Sequence, residues 1–87
     1  MRHIFTVYFG QDFDLFGDTV PEIVSCYRRD ESHRREDLIR EIGSFIGEHP
    51  KDLDAAFERD YGSAFDPESW GHTTASFLDE LKRLLSE

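Results

Sequence analysis

The heptapeptide HIFTVYF, His3 to Phe9, decides the fold class of this chain. Its aromatic and β-branched residues favour a strand, while its apolar spacing also fits two helical turns. A strand here would stand alone, because no other segment offers a partner, and a lone strand leaves its backbone donors and acceptors unsatisfied. The helical reading follows, and with it an all-α fold, a compact bundle of four or five helices in a single domain over residues 1–87.

Four downstream segments carry that reading. Thr19 and Glu22 have the spacing of a capping box, and Val20, Ile23, Val24 and Tyr27 then share one face, which predicts a helix over about 20–29. Ser32 is placed to cap a second helix, in which Leu38, Ile39, Ile42, Phe45 and Ile46 recur at three- and four-residue intervals up to a stop at Gly47. Pro50 suits the first turn of a third, with Leu53, Ala56, Phe57 and Tyr61 as its apolar stripe and Gly62 as its end. The run SAFDPESWGH, Ser63 to His72, lacks periodicity and reads as an ordered loop pinned by Phe65 and Trp70. Thr73 or Thr74 caps a last helix with Phe77, Leu78, Leu81, Leu84 and Leu85 on one side. The expected interior is Ile23, Tyr27, Leu38, Ile42, Phe45, Phe57, Phe77 and Leu81.

At 87 residues, folding buries only about 60–65% of the surface the unfolded chain exposes, which argues against a large internal active site. Nineteen Asp and Glu oppose ten Lys and Arg, a formal charge of -9. Nucleic acid and anionic membrane are polyanions, so neither is expected as a direct partner, and a basic macromolecule is better matched. Net charge alone fits equally a domain that is merely kept soluble. Arg28-Arg29 and Arg34-Arg35 are flanked by Asp30, Glu31, Glu36 and Asp37 and read as an internal salt-bridge surface. Cys26 is the only cysteine, so no intramolecular disulfide can form. With no secretory h-region and no apolar run of membrane length, a cytoplasmic location is expected.

The stretch YFGQDFDLFGD, Tyr8 to Asp18, sets Tyr8, Phe9, Phe13 and Phe16 among Asp12, Asp14 and Asp18. It superficially matches the start of a calcium loop, with carboxylates at the first and third positions and Gly17 at the sixth. The fifth position is Phe16 and the twelfth Ile23, neither of which can ligate calcium. His3, His33, His49 and His72 are scattered, none at zinc-ligand spacing with another His or with Cys26, and Cys26 has no identified base. No metal, cofactor or catalytic residue is expected.

Tyr8-Phe9, Gln11-Asp12-Phe13-Asp14-Leu15 and Gly17-Asp18-Thr19 together resemble the YF-x-QDWDL signature of a family of small contact-dependent growth inhibition immunity proteins. In that family an acidic or glycine turn follows, and a helix opens at Thr-Pro-Glu. Phe13 stands where the family has Trp, Gly10 where it has His, and Thr19-Val20-Pro21-Glu22 carries one extra residue. The resemblance continues through the central helix to Phe77-Leu78, where family members often have Trp-Leu. It implies an all-helical, cytoplasmic, non-enzymatic protein that binds and neutralises the C-terminal toxin domain delivered by a neighbouring cell. Such toxins are often nucleases.

A nuclease face is shaped for phosphate and therefore basic, and an acidic protein can occupy it with carboxylates where phosphates would go. The expected partner is thus a basic nuclease domain, held in a heterodimer. Tyr8, Phe9, Gln11, Asp12, Phe13 and Asp14 are read as structural, because toxin-binding surfaces must differ between cognate pairs and need not lie in a shared motif. The expected toxin-binding face is Asp52, Asp54, Glu58, Asp60, Asp66 and Glu68, with Tyr61 and Trp70 as aromatic anchors. The competing reading is an acidic antitoxin or adaptor for another basic cytosolic protein.

Overall fold

The computed structural model describes residues 1–10 and 13–87, so the expectations for Gln11 and Asp12 lie outside the described residues. Every regular element among the described residues is helical. There are four α-helices, α1 (Val20–Asp30), α2 (Arg35–Glu48), α3 (Leu53–Tyr61) and α4 (Thr74–Ser86), with a 3-10 turn between α1 and α2 and another between α3 and α4. The all-α expectation holds.

The deciding heptapeptide is helical but wound wider than an α-helix. Ile4–Tyr8 is a π-helical turn, with the Phe9 amide donating to the Ile4 carbonyl at 3.0 Å. This winding buries Ile4, Phe5, Tyr8 and Phe9 while Thr6 and Val7 face outward. Phe5 is fully enclosed, its ring 5.4 Å from that of Phe57, 5.5 Å from Tyr61 and 5.1 Å from Phe65. The aromatic content that suggested a strand instead supplies one side of a ring cluster, each such pair adding to plain area burial.

Helix boundaries depart from expectation at four places, the first being Pro50, which lies in a turn ahead of α3, since α3 opens only at Leu53. Thr19 does cap α1, accepting from the Glu22 amide at 3.4 Å, and its hydroxyl donates to Glu22 Oε1 at 2.9 Å. Ser32 does not cap α2. It opens a 3-10 turn, Ser32–Arg34, and α2 begins after Arg34 with no side-chain cap. Gly47 does not stop α2, which runs on to Glu48, because a single glycine weakens a helix without ending it when the flanking turns are packed. The segment 63–72 is more than a loop: Asp66 caps a 3-10 turn, Pro67–Trp70, that closes on Gly71 at φ 78°, a left-handed conformation that glycine adopts without strain. α4 carries a reciprocal capping box, the Ser76 amide donating to Thr73 Oγ1 at 3.1 Å and the Thr73 amide to Ser76 Oγ at 3.0 Å.

α4 is the central element and packs against α1, α2 and α3. Its Phe77, Leu78, Leu81 and Leu85 are fully buried, and all eight residues expected in the interior are there. No helix among the described residues is long and apolar enough to cross a membrane.

Candidate functional site

α3, the 62–73 connection and the start of α4 enclose a surface groove of about 470 Å³. Its floor is apolar, made by Phe57, Phe65 and Pro67, all buried. Its rim is acidic. Asp54 and Glu58 stand one turn apart on α3, the i,i+4 spacing that puts both carboxylates on one face. Asp66 and Glu68 face them from the 3-10 turn, with Thr73 and Thr74 completing the wall.

The four carboxylates differ in what the fold asks of them. Asp66 is engaged, its Oδ1 accepting from the Glu68 amide at 3.1 Å and its Oδ2 from the Ser69 hydroxyl at 3.0 Å. Asp54, Glu58 and Glu68 are exposed and make no ion pair among the described residues. The groove therefore concentrates negative charge over an apolar floor, an arrangement that suits a cationic side chain with an apolar stem, as Lys and Arg have.

The other four residues expected on this face lie outside the groove. Asp52 accepts from His49 Nδ1 at 3.3 Å. Asp60 is paired with its neighbour Arg59 at 3.0 Å, and that hydrogen bond holds its carboxyl below the usual range. Tyr61 turns its ring toward the interior, 5.4 Å from Phe57 and 5.8 Å from Phe45, beneath the Arg2 guanidinium. Burial, reinforced by the charges of Glu41 and Asp60, pushes its phenol up. Trp70 stands edge-on to Phe13 at 5.0 Å and to Phe9 at 5.5 Å.

Trp70 thus joins the aromatic corner that contains the described part of the QDFDL stretch. Tyr8 and Phe9 are buried, Phe13 is half-buried and Asp14 is exposed on a 3-10 turn, Phe13–Leu15. The Tyr8 ring lies 4.5 Å from Phe16 and 5.2 Å from Tyr27, and its hydroxyl donates to Asp30 Oδ2 at 3.4 Å. Burial, with the nearby charges of Asp30 and Glu31, pushes the Tyr8 phenol up to about 12. Leu15, the last residue of the signature stretch, ends the 3-10 turn and is 77% exposed.

The basic cluster expected to form an internal salt-bridge surface pairs only in part: Arg29 meets Asp30 at 3.1 Å, and Arg28, Arg34 and Arg35 make no ion pair among the described residues. Ser25, Arg28, Arg29 and Ser32 recur at three- and four-residue intervals, which would have marked a common face, and they line a groove with Arg35 and Glu36. Among the described residues, no group of three or more His, Cys, Asp and Glu side chains is arranged to hold a metal ion. A family model described as CdiI immunity protein matches residues 1–85. No curated protein and no solved structure matches the chain.

Proposed function

The chain belongs to the CdiI immunity protein family, and from that premise we propose that it binds and neutralises the C-terminal toxin domain of a contact-dependent growth inhibition system. The partner is a basic nuclease domain, the complex is a one-to-one heterodimer in the cytoplasm, and the immunity protein itself performs no catalysis. The observation that carries this reading is the groove in which Asp54, Glu58, Asp66 and Glu68 surround an apolar floor. A basic face built to hold phosphate meets there a set of carboxylates at comparable charge density, and the attraction steers encounter as well as fixing register.

The test uses the toxin domain encoded beside the immunity gene. Association of the wild-type pair slows by about tenfold or more from low to high salt, because exposed charges are screened beyond about 8 Å at physiological ionic strength. The double variant Asp54→Lys, Glu58→Lys associates more slowly, loses most of that salt response and fails to protect a cell expressing the toxin. Its melting transition is checked first, since both sites are exposed and the fold should survive. Equal association and full protection in a folded double variant would reject this groove as the inhibitory face.

A further inference from the structure

The groove lined by Ser25, Arg28, Arg29, Ser32, Arg35 and Glu36 has a volume of about 510 Å³ and lies at the far end of the molecule from the acidic one. α4 connects them. Its first turn, at Thr73 and Thr74, walls the acidic groove, while the backbone carbonyl of Glu87, just beyond its last turn, accepts from Arg28 Nη2. Thirteen helical residues separate the two ends by roughly 20 Å. In a chain of charge -9, three guanidinium groups and two hydroxyls therefore share one small concavity.

The donors are incompletely used. Arg29 Nε bonds Asp30 Oδ1 at 3.1 Å, but Arg35 makes no ion pair among the described residues. Arg28 Nη2 donates to the Glu87 carbonyl and its Nε is shut off from solvent without a partner, so Arg28 meets the groove through Nη1. α2 starts beside this groove with no side-chain cap, its positive end met by Glu36 and Asp37 in the first turn, so the site rests on the guanidinium groups. Each guanidinium offers five N–H donors in a planar fork, more in sum than the two oxygens of one carboxylate can accept. A tetrahedral oxyanion presents enough acceptors to engage two guanidinium forks and a serine hydroxyl together.

We propose that this groove is a binding site for a compact tetrahedral dianion, either inorganic phosphate or the phosphate of a small phosphomonoester. Extended polyanions are disfavoured, because Glu36 and Asp30 border the site and the rest of the chain repels them. The site is independent of the toxin-binding reading and uses none of its residues.

The full-length protein, labelled with nitrogen-15, is titrated with inorganic phosphate at about pH 8, where phosphate is a dianion, against chloride at matched ionic strength. The Nε–Hε signals of Arg28, Arg29 and Arg35 and the backbone amides of 32–36 shift and saturate, and the acidic groove stays silent. Arg35→Gln and Arg29→Gln each weaken the apparent affinity by about tenfold, the size of one lost charge-assisted hydrogen bond. Arg29 is exposed, so its variant keeps the fold if the first does not. Adenosine monophosphate shifting the same signals assigns a phosphomonoester, and a response to phosphate alone assigns the free anion. An equal response to chloride, an unchanged affinity in both variants, or tighter binding of single-stranded DNA or polyglutamate than of phosphate overturns the proposal. The toxin enters no arm, so failure here and failure of the inhibitory groove are separate results.

Discussion

The connection between α3 and α4 has an inner and an outer side. On the inner side, Phe65 stacks on Phe5 at 5.1 Å and meets Phe77 at 4.6 Å, while Trp70 stands edge-on to Phe9 and Phe13. On the outer side, Asp66 and Glu68 look across open space at Asp54 and Glu58. The inner side chains find their partners within the fold. Of the outer carboxylates only Asp66 is bonded within the fold among the described residues, and like charges gathered around one groove destabilise the fold that holds them. The ring cluster therefore accounts for where the acids sit, and capping accounts for Asp66, but no side-chain bond among the described residues accounts for Glu58 or Glu68.

Phe65→Ala breaks the comparison most severely, because Phe65 serves both sides. It removes a ring that is only 5% exposed, and the expected loss is about 3–5 kcal/mol in denaturant melts, together with the groove floor. A loss below about 1 kcal/mol would show that the corner does not hold the connection in place.

High pH probes the inner side without mutation. The folded Tyr8 phenol is raised to about 12, above its ordinary value, so its contribution is fully present below about pH 10 and disappears as pH rises from there through 12. Tyr27 and Tyr61 are shifted in the same direction, chiefly by burial. Stability should be level up to about pH 10 and then fall, with Tyr8 contributing to the decline up to about pH 12. Tyr8→Phe removes that share of the decline, and an unchanged profile would contradict the burial assigned to Tyr8. A smaller effect comes from the join between the two sides: Thr73→Ala takes away the cap of α4 and should cost about 1 kcal/mol by thermal melt.

These expectations differ in how far they were legible beforehand. The α4 cap and the apolar stripes of all four helices were readable, because a capping pair and a 3.6-residue period are local properties. The π-helical form of Ile4–Tyr8 was not, since widening a turn is decided by the rings it must meet, and Phe57, Phe65 and Phe77 are distant in sequence. The candidate site divided along the same line. Asp54 and Glu58 share a helix face whose period is visible, whereas bringing Asp66 and Glu68 opposite them depends on the connection folding back over Phe65. Tyr61 and Trp70 are half-buried, each with a ring against the aromatic cluster, and the sequence pattern does not show how much of either stays exposed.

The smallest effect on stability sharpens the comparison furthest. Asp54 lies in the first turn of α3, where its charge complements the positive helix end, while Glu58 lies in the last turn, beside the negative end and one turn from a like charge. Asp54→Asn should therefore destabilise, and Glu58→Gln stabilise, each by a few tenths of a kcal/mol, resolved by paired denaturant melts at low salt. Both variants remove one negative charge from the same groove, so both should slow association with the toxin domain and weaken protection. Opposite signs in stability with the same sign in binding would separate what each carboxylate does for the helix from what both do for the partner. If Glu58→Gln instead costs more than about 1 kcal/mol, Glu58 is a structural residue and the outer side is as self-satisfied as the inner one.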